Sequence, residues 1–164
     1  MGLEIERKFL VKGEYKSLAY EHSHIQQGYI SKGNGRTVRV RMRDEKGYIT
    51  IKGPSDIAGL ARYEFEKEIS LEDAQDLMKI CLPGVIDKYR WLVKNGKHIV
   101  EVDEFKGENE GLVLAEIELE DENEPYIRPD FLGKEVTGDR KYYNSHLTTY
   151  PYTVWGKDEQ QQDQ

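Results

Sequence analysis

Charged side chains that could do chemistry recur at every second position in several short segments of this sequence. Glu4-x-Glu6-x-Lys8 and Arg39-x-Arg41 are the simplest examples. Carboxylates offer only oxygen ligands, which suit the hard cations Mg²⁺ and Mn²⁺ better than zinc. The acidic residues in such positions are Glu4, Glu6, Glu64, Glu66, Glu101, Asp103, Glu116 and Glu118.

The lysines and arginines that alternate in the same way could surround a polyanion, because an arginine fork matches two phosphate oxygens at once. Positioning, metal clamping and charge neutralisation do most of the work in phosphoryl transfer. The sequence has no Gly-x-x-x-x-Gly-Lys phosphate loop and no dinucleotide fingerprint, and it supports no serine or cysteine triad. These residues therefore predict metal-assisted chemistry on a phosphate chain. The basic candidates are Lys8, Arg39, Arg41, Lys52, Lys88 and Arg90.

Composition limits the partners of this 164-residue chain. Its formal net charge of −7 disfavours attraction of the whole molecule to nucleic acid or to an anionic membrane, so a local basic cluster must hold any anion. The single Cys81 excludes an internal disulfide and a cysteine-based zinc site. No apolar run approaches the ~18 residues of a membrane span, and the N-terminus has no signal-peptide pattern. We therefore expect a cytoplasmic protein with a small-molecule ligand and no nucleic-acid or membrane partner.

Period-two alternation of apolar and charged residues predicts that the chain consists mainly of strands. We expect one domain over residues 1–156, and a disordered polar tail over the Gln- and Asp-rich residues 157–164. The eight predicted strands are residues 3–11, 25–31, 36–44, 47–53, 62–70, 85–94, 97–105 and 112–121.

Helical patterns are rare in the sequence. Ser70 can cap a helix over residues 71–82, and Pro83 would end that helix. The other predictions of this kind are a second helix over residues 141–149, a helical turn near residues 14–20, and loops over residues 54–59 and 122–138.

Asn95-Gly96 is the strongest turn signal and is typical of a two-residue type I′ hairpin. A turn at this position fixes which residues of the flanking strands face each other. Opposite charges directly across two strands stabilise by about 0.2–1 kcal/mol a pair. The predicted register pairs Lys94 with Lys97, Arg90 with Glu101, and Lys88 with Asp103.

Most predicted strands carry one ionic face and one apolar face. A charged strand face is usually the solvated side of an antiparallel sheet, and that interpretation stays open for any single strand. Stacked carboxylates or stacked arginines repel each other, however, unless they surround a space that holds cations and an anion. Eight strands suffice for a barrel that encloses one small ligand. The predicted fold is therefore α+β and mainly β: an eight-stranded antiparallel closed β-barrel, or tunnel, with a few peripheral helices.

The apolar outer faces of such a barrel must be shielded from water. Two helices are few to shield eight strands, although the stems of Tyr, Lys and Arg side chains can mask part of the surface. We therefore expect a homodimer or an incompletely closed barrel.

The segment Glu4-Ile5-Glu6-Arg7-Lys8 resembles the Glu-x-Glu-x-Lys motif of the CYTH superfamily, also called the triphosphate tunnel metalloenzymes. One such motif alone would be weak, whereas nine motifs in order and with matching polarity are specific. The resemblance covers nearly the whole chain. The other eight motifs are Gln27-Gly28-Tyr29, residues 37–41, Thr50-Ile51-Lys52, Glu64-x-Glu66, Lys88-x-Arg90, Glu101-x-Asp103, Glu116-x-Glu118, and Gly138-Asp139 with Tyr142-Tyr143-Asn144.

The resemblance implies an eight-stranded tunnel and a triphosphatase that depends on Mg²⁺ or Mn²⁺. Short bacterial members hydrolyse inorganic triphosphate and, in part, nucleoside triphosphates. Tyr29 corresponds to a tyrosine that can pair with the Lys8 counterpart, and it could equally be a filling aromatic. The implied metal set is Glu4, Glu6, Glu64, Glu66, Asp103, Glu116 and Glu118. The implied substrate-binding set is Lys8, Arg39, Arg41, Lys52, Lys88 and Arg90, and the implied catalytic residues are Lys8 and Tyr29.

One motif departs from the family pattern. Members often read Gly-Asp-Pro-Arg-Tyr where this chain has Gly138-Asp139-Arg140-Lys141-Tyr142, so it stays open whether Arg140 or Lys141 points at the tunnel. Three alternative functions also stay open: a class IV adenylyl cyclase, a thiamine triphosphatase, and a polyphosphate- or nucleotide-binding module without turnover. Carboxylates argue against the last, because a pure anion binder gains nothing from so many of them.

Overall fold

The computed structural model describes residues 2–156, and the predicted polar tail over residues 157–164 lies outside the described residues. Nine strands dominate the described chain, and its helices are short. No helix in this part is long and apolar enough to cross a membrane. The strands are β1 (Gly2–Val11), β2 (Ala19–Gly33), β3 (Arg36–Arg43), β4 (Lys46–Lys52), β5 (Ala61–Ile69), β6 (Ile86–Asn95), β7 (His98–Phe105), β8 (Val113–Leu119) and β9 (Leu132–Glu135). The helices are α1 (Leu71–Met78), α2 (Asn144–Leu147), and three 3₁₀ turns at Lys16–Leu18, Gly107–Asn109 and Arg140–Tyr142; residues 152–156 are also helical.

Eight of these strands form one closed antiparallel barrel, which confirms the predicted fold. Their order is β5-β4-β3-β2-β6-β7-β8-β1, and the ring closes where β1 pairs with β5. The closure places Leu3 opposite Tyr63 and Glu4 opposite Arg62. The alternative of an incompletely closed barrel is therefore wrong. Strand β1 is long enough for one of its edges to pair with two other strands. Its first residues close the ring on β5, and its last residues pair with β9.

Strand alternation turns the ionic faces into the barrel and the apolar faces outward. On β1, Lys8 faces the interior whereas Phe9 is fully buried on the outside. The outer residues of β1, β7 and β8 form an apolar core together with Tyr15, Phe131 and Leu132, which lie on the segments that cover them. The hydrophobic core therefore lies between the barrel wall and its surrounding segments, and the barrel interior is left to charge.

The predicted register of the β6–β7 hairpin is wrong by two residues. Asn95 pairs with His98, so the two turn residues are Gly96 and Lys97. Gly96 has a φ of 63°, which matches a type II′ turn, where glycine occupies the first central position. Because the shift equals the side-chain period of a strand, every residue keeps its predicted face. The true pairs include Arg90 with Asp103, Leu92 with Glu101, and Lys88 with Phe105.

The predicted type I′ geometry belongs instead to the β2–β3 hairpin. Gly33 pairs with Arg36 there, and the two turn residues, Asn34 and Gly35, have φ values of 52° and 78°. Positive φ at both central positions is the mark of a type I′ turn, and Asn-Gly is its preferred sequence.

Two further segments differ from their predicted structure. The Ser70 cap is confirmed, since its Oγ accepts a hydrogen bond from the Asp73 amide at 3.0 Å. Helix α1 nevertheless ends at Met78, before the predicted residue 82, because the Leu82 amide donates to the Tyr29 carbonyl and returns the chain to β2. The predicted loop 122–138 contains β9, which was too short to show a period. The predicted helix 141–149 is a 3₁₀ turn followed by α2.

Candidate active site

The barrel encloses a cavity of about 380 Å³ whose wall is almost entirely polar. Thirteen of the fourteen predicted metal, substrate and catalytic residues line it. The exception is Asp103, which is buried beside Lys88 and Arg90. The thirteen are Glu4, Glu6, Lys8, Tyr29, Arg39, Arg41, Lys52, Glu64, Glu66, Lys88, Arg90, Glu116 and Glu118.

Carboxylates crowd one side of the cavity, which we call the acidic arc: Glu4, Glu6, Glu64, Glu116 and Glu118. Burial and the neighbouring carboxylates of Glu116 and Glu4 raise the pKa of Glu6 well above its usual range. Burial and Glu4 also raise the pKa of Glu64 to about 7. Burial and the same neighbour raise the pKa of Glu118. Glu64 therefore titrates near neutral pH, and the environments of Glu6 and Glu118 favour their protonated forms.

Two members of the acidic arc are held in the ionised form by lysines. Burial opposes ionisation of Glu4, yet Lys52, whose Nζ lies 2.8 Å from Glu4 Oε1, holds the pKa of that carboxyl below its usual value. Burial likewise opposes ionisation of Glu116. Lys8, at 3.3 Å, and a hydrogen bond from Glu6 hold the pKa of Glu116 well below the usual range. The two lysines thus favour the ionised forms of Glu4 and Glu116, in contrast to the other three members of the acidic arc.

The donor set of the acidic arc fits a hard divalent cation. It is made of oxygen ligands alone, and burial together with neighbouring carboxylates raises the pKa values of Glu6, Glu64 and Glu118, which a bound cation would lower again. Within residues 2–156, no three acidic, histidine or cysteine side chains already converge as ligands. Lys52 and Lys8 pair with Glu4 and Glu116.

Arginines and lysines occupy the other side of the cavity, which we call the basic arc: Arg39, Arg41, Lys52, Lys88 and Arg90. Lys8, Arg39 and Arg41 are each less than a tenth exposed. Arg39 donates through Nη2 to Thr50 Oγ1 at 3.1 Å, whereas its buried Nε has no acceptor among the described residues. Thr50 in turn donates to Glu66 Oε1 at 3.0 Å. A phosphate oxygen would supply the acceptor that Arg39 Nε lacks.

Asp103 binds two residues of the basic arc, Arg90 and Lys88. Its Oδ1 and Oδ2 accept from Arg90 at 2.8 and 2.9 Å, and Oδ2 also lies 2.7 Å from Lys88 Nζ. Burial opposes its ionisation, yet Arg90 and Lys88 hold the pKa of Asp103 below its usual range. Glu101 binds the other side of Arg90, at 2.6 Å from Nη1. Both carboxylate oxygens of Asp103 are thus engaged by cations of the basic arc, and the metal-ligand role that the resemblance implied for Asp103 stays a prediction.

The C-terminal segment, residues 138–149, closes one end of the cavity. It contributes uncharged groups that the sequence patterns did not identify as site residues. Asn144 Oδ1 accepts from Lys88 Nζ at 2.8 Å and from Gln27 Nε2 at 3.1 Å. Gln27 is fully buried, and its Oε1 accepts from Arg41 Nε at 2.9 Å. Two cations of the basic arc are therefore oriented by amides. Both amides lie in quoted motifs, but neither carries the charge alternation that marked the other residues.

The aromatic ring beside Lys8 is Tyr143. Lys8 Nζ lies 5.2 Å from the centre of the Tyr143 ring and 3.4 Å from the Tyr142 carbonyl oxygen. Tyr29 lines the cavity and is almost fully buried, but within residues 2–156 its hydroxyl makes no hydrogen bond to Lys8. The pairing of Tyr29 with Lys8 thus stays a prediction.

Comparison with known proteins identifies the family of this chain. A family model described as the CYTH domain matches residues 2–149, which include all the barrel strands and the C-terminal segment at the cavity end. The chain belongs to the CYTH domain family. An inorganic triphosphatase of Acetivibrio thermocellus is 49% identical to it over 154 residues, covering 93% of this chain and 97% of the relative.

Two further comparisons agree with the CYTH assignment. An inorganic triphosphatase of Nitrosomonas europaea is 31% identical over 153 residues, covering 88% of this chain and 95% of the relative. The crystal structure of an inorganic triphosphatase superposes with a TM-score of 0.64 at 28% identity, covering 90% of this chain and 95% of the other. The similarity therefore extends over most of this chain and nearly the full length of each of these two relatives.

Proposed function

We propose that this CYTH protein is a divalent-metal-dependent triphosphatase, which hydrolyses inorganic triphosphate to diphosphate and phosphate inside the barrel. The observation that carries the proposal is the division of one enclosed cavity into an acidic arc and a basic arc. A triphosphate with its cations has the charge distribution that such a wall complements. The names of the two curated relatives support the same substrate.

The basic arc would bind and orient the phosphate chain. Arg39 and Arg41 offer buried guanidinium groups, and Lys52, Lys88 and Arg90 add charge around the same space. In hydrolysis, the oxygen of water bonds to a terminal phosphorus, the bond from that phosphorus to its bridging oxygen breaks, and diphosphate leaves. Negative charge on the departing and transferring oxygens is neutralised by these residues.

Lys8 and Tyr29 are the residues that we place closest to the reacting group. Lys8 lies between the acidic arc and the C-terminal segment. Burial opposes its charge, yet Glu116 and Glu6 outweigh burial and raise the pKa of Lys8. Tyr29 presents a hydroxyl that could donate to a phosphate oxygen.

The acidic arc, with Glu66, would hold Mg²⁺ or Mn²⁺. When bound, such a cation screens the charge of the phosphate oxygens and lowers the pKa of water. The chain itself contributes the fixed carboxylates, and burial removes competing water from them. Binding of the cation would also displace the proton from Glu64, whose pKa is raised to about 7.

Phosphate release from tripolyphosphate tests the proposal directly. We expect activity with Mg²⁺ or Mn²⁺, none in EDTA, and a strong loss in Lys8→Ala with the far-ultraviolet circular dichroism spectrum unchanged. Equal rates with EDTA and with metal would reject the mechanism. No turnover with metal would leave only the binding module.

The product formed from ATP separates the remaining enzyme alternatives. ADP with phosphate indicates hydrolysis of nucleoside triphosphates, whereas cyclic AMP with diphosphate indicates the class IV adenylyl cyclase. Thiamine triphosphate, assayed in parallel with tripolyphosphate and ATP, tests the third alternative. We expect tripolyphosphate to give the highest kcat/KM, because the cavity wall is almost entirely polar.

We further propose that the protein forms a homodimer and is located in the cytoplasm. Four large apolar side chains on the outer faces of β1, β4 and β5 remain more than two-fifths exposed: Leu3, Ile51, Tyr63 and Phe65. A second copy could cover them. Sedimentation equilibrium of the full chain, compared with Tyr63→Lys, measures whether that strip holds two copies together.

A further inference from the structure

The tunnel opens at one end into a second cavity of about 580 Å³, which we call the basic vestibule. Its charged and aromatic lining comes from Lys32, Arg36, Arg62, Arg140, Tyr143 and His146. Thr37, Arg62, Tyr143 and Ser145 line both this space and the tunnel, so the two cavities are adjacent and share a wall.

The cations of the basic vestibule lack carboxylate partners. No acidic residue within residues 2–156 lines the space. Lys32 Nζ donates to the Ser145 carbonyl at 3.1 Å, and Arg62 Nε donates to the Gly53 carbonyl at 3.0 Å. Arg36 and Arg140 form no ion pair in the described part of the chain. Carbonyl groups orient two of these cations but neutralise none of them.

Arg140 reaches the basic vestibule, whereas its neighbour Lys141 does not line it. Lys141 Nζ lies 5.4 Å from the centre of the Tyr142 ring and 5.2 Å from that of Trp155, on the apolar side of the C-terminal segment. Neither residue lines the tunnel cavity itself, and Arg140 lines the adjacent vestibule.

The opposite mouth of the barrel has a different charge. A cavity of about 1050 Å³ there shares Arg43, Arg90, Glu101 and Glu118 with the tunnel. Seven Asp or Glu residues line it against four Lys or Arg residues. Two of those bases are already paired, Lys97 with Glu124 at 3.8 Å and Arg90 with Glu101. The tunnel therefore has one positive end and one negative end.

We propose that the basic vestibule is an anion-binding site through which the triphosphate enters the tunnel. The identity of the anion rests on the proposed function. A chain with a net charge of −7 repels a multivalent phosphate at long range, so capture requires a local region of positive potential. Unpaired cations at one mouth supply it and leave the acidic mouth unfavourable for the same anion. Arg36 and Arg140 make the first contacts, and Arg62, which lines both spaces, passes the anion on.

A titration followed by nuclear magnetic resonance tests binding at the basic vestibule without turnover. Tripolyphosphate is added to the ¹⁵N-labelled full chain in EDTA, and the Nε–Hε signals of Arg36 and Arg140 are followed. We expect saturable shifts of both signals, together with backbone amides of residues 32–37. Shifts confined to tunnel residues such as Arg41 would overturn the proposal.

Steady-state kinetics test entry through the same site. We compare Arg36→Gln/Arg140→Gln with Lys46→Gln/Lys97→Gln, which removes the same charge from the opposite mouth. The vestibule variant should lose about tenfold in kcat/KM at low ionic strength and little in kcat, and the loss should shrink as salt is added. The control should stay within about twofold of the wild type. Equal losses in both variants, or a loss that salt does not change, would contradict entry at the vestibule.

The two experiments separate this inference from the proposed function. If the wild type releases no phosphate from tripolyphosphate, the proposed function fails, and the titration alone decides whether the vestibule binds the anion. If the wild type is active but the vestibule signals do not move, the proposed function stands and the vestibule inference fails.

Discussion

At the scale of single residues, the barrel interior holds several carboxyl groups close enough to repel each other. Glu6 lies among Glu4 and Glu116, and burial with these neighbours raises its pKa. Such a group destabilises the metal-free protein, since each carboxyl must either retain a proton or repel the next. Removing one carboxylate therefore relieves repulsion and removes a metal ligand at the same time.

Glu6→Gln should separate activity from stability. We expect phosphate release from tripolyphosphate to fall by on the order of 10²–10³-fold, because an amide cannot supply the charge of the ligand. The Tm in EDTA should stay equal or rise, since an amide needs no proton and repels no neighbour. Glu68→Gln, at an exposed position of β5 outside the cavity lining, is the matched control and should retain activity. A Tm several degrees lower would instead assign Glu6 to holding the fold.

Metal binding should release protons near neutral pH. Burial and Glu4 raise the pKa of Glu64 to about 7, so below that pH the protonated carboxyl must lose its proton before it can bind a cation. The apparent affinity for Mg²⁺ should therefore weaken as the pH falls through 7. Isothermal titration calorimetry in buffers of different ionisation enthalpy measures the number of protons released, and Glu64→Gln should reduce it. An affinity independent of pH from 6 to 8 would contradict this linkage.

At the scale of elements, alternation predicted which faces point inward but not where strands begin or pair. All eight barrel strands were found from period two, and the two-residue register error at Asn95 left every face correct. Strand β9 was missed because four residues show too little period. The amides of Gln27 and Asn144 were missed as site residues because their role depends on contacts between distant segments, which no local pattern records.

The packing of α1 on the barrel depends on a glycine of β4. A Cβ on Gly47 would lie 2.6 Å from Ala74 Cβ and 3.0 Å from the Ser70 carbonyl oxygen, so the helix would have to move. Gly47→Ala should lower the free energy of unfolding by about 1–3 kcal/mol, as overpacked sites do. Gly33→Ala, where nothing lies within 4 Å of the added Cβ, should change it by much less. Urea denaturation of both variants measures the difference, and equal values would show that α1 is not held at this contact.

At the scale of the whole molecule, the usual arrangement of a small domain is inverted. The apolar core lies outside the barrel, under Tyr15, Phe131 and the C-terminal segment, while the interior holds ions. Sequence patterns predicted this inversion because each strand carries it separately. They could not predict the unequal mouths, because each mouth gathers residues that are distant in sequence and only the basic vestibule includes the C-terminal segment.

An interior of unbalanced charge should be stabilised by the ions that it binds. Mg²⁺ would relieve the acidic arc and a triphosphate would relieve the basic arc, so each ligand should strengthen the binding of the other. Each alone should raise the Tm slightly. Mg²⁺ with a non-hydrolysable imidotriphosphate at about 100 times its Kd should stabilise by about 2.7 kcal/mol, or roughly 5–10 °C for a domain of this size. Differential scanning fluorimetry measures the effect, with sodium chloride at matched ionic strength as the control for screening. A combined shift no larger than the sum of the separate shifts would mean that the two arcs act independently, and that the charges do not face each other across one bound ligand.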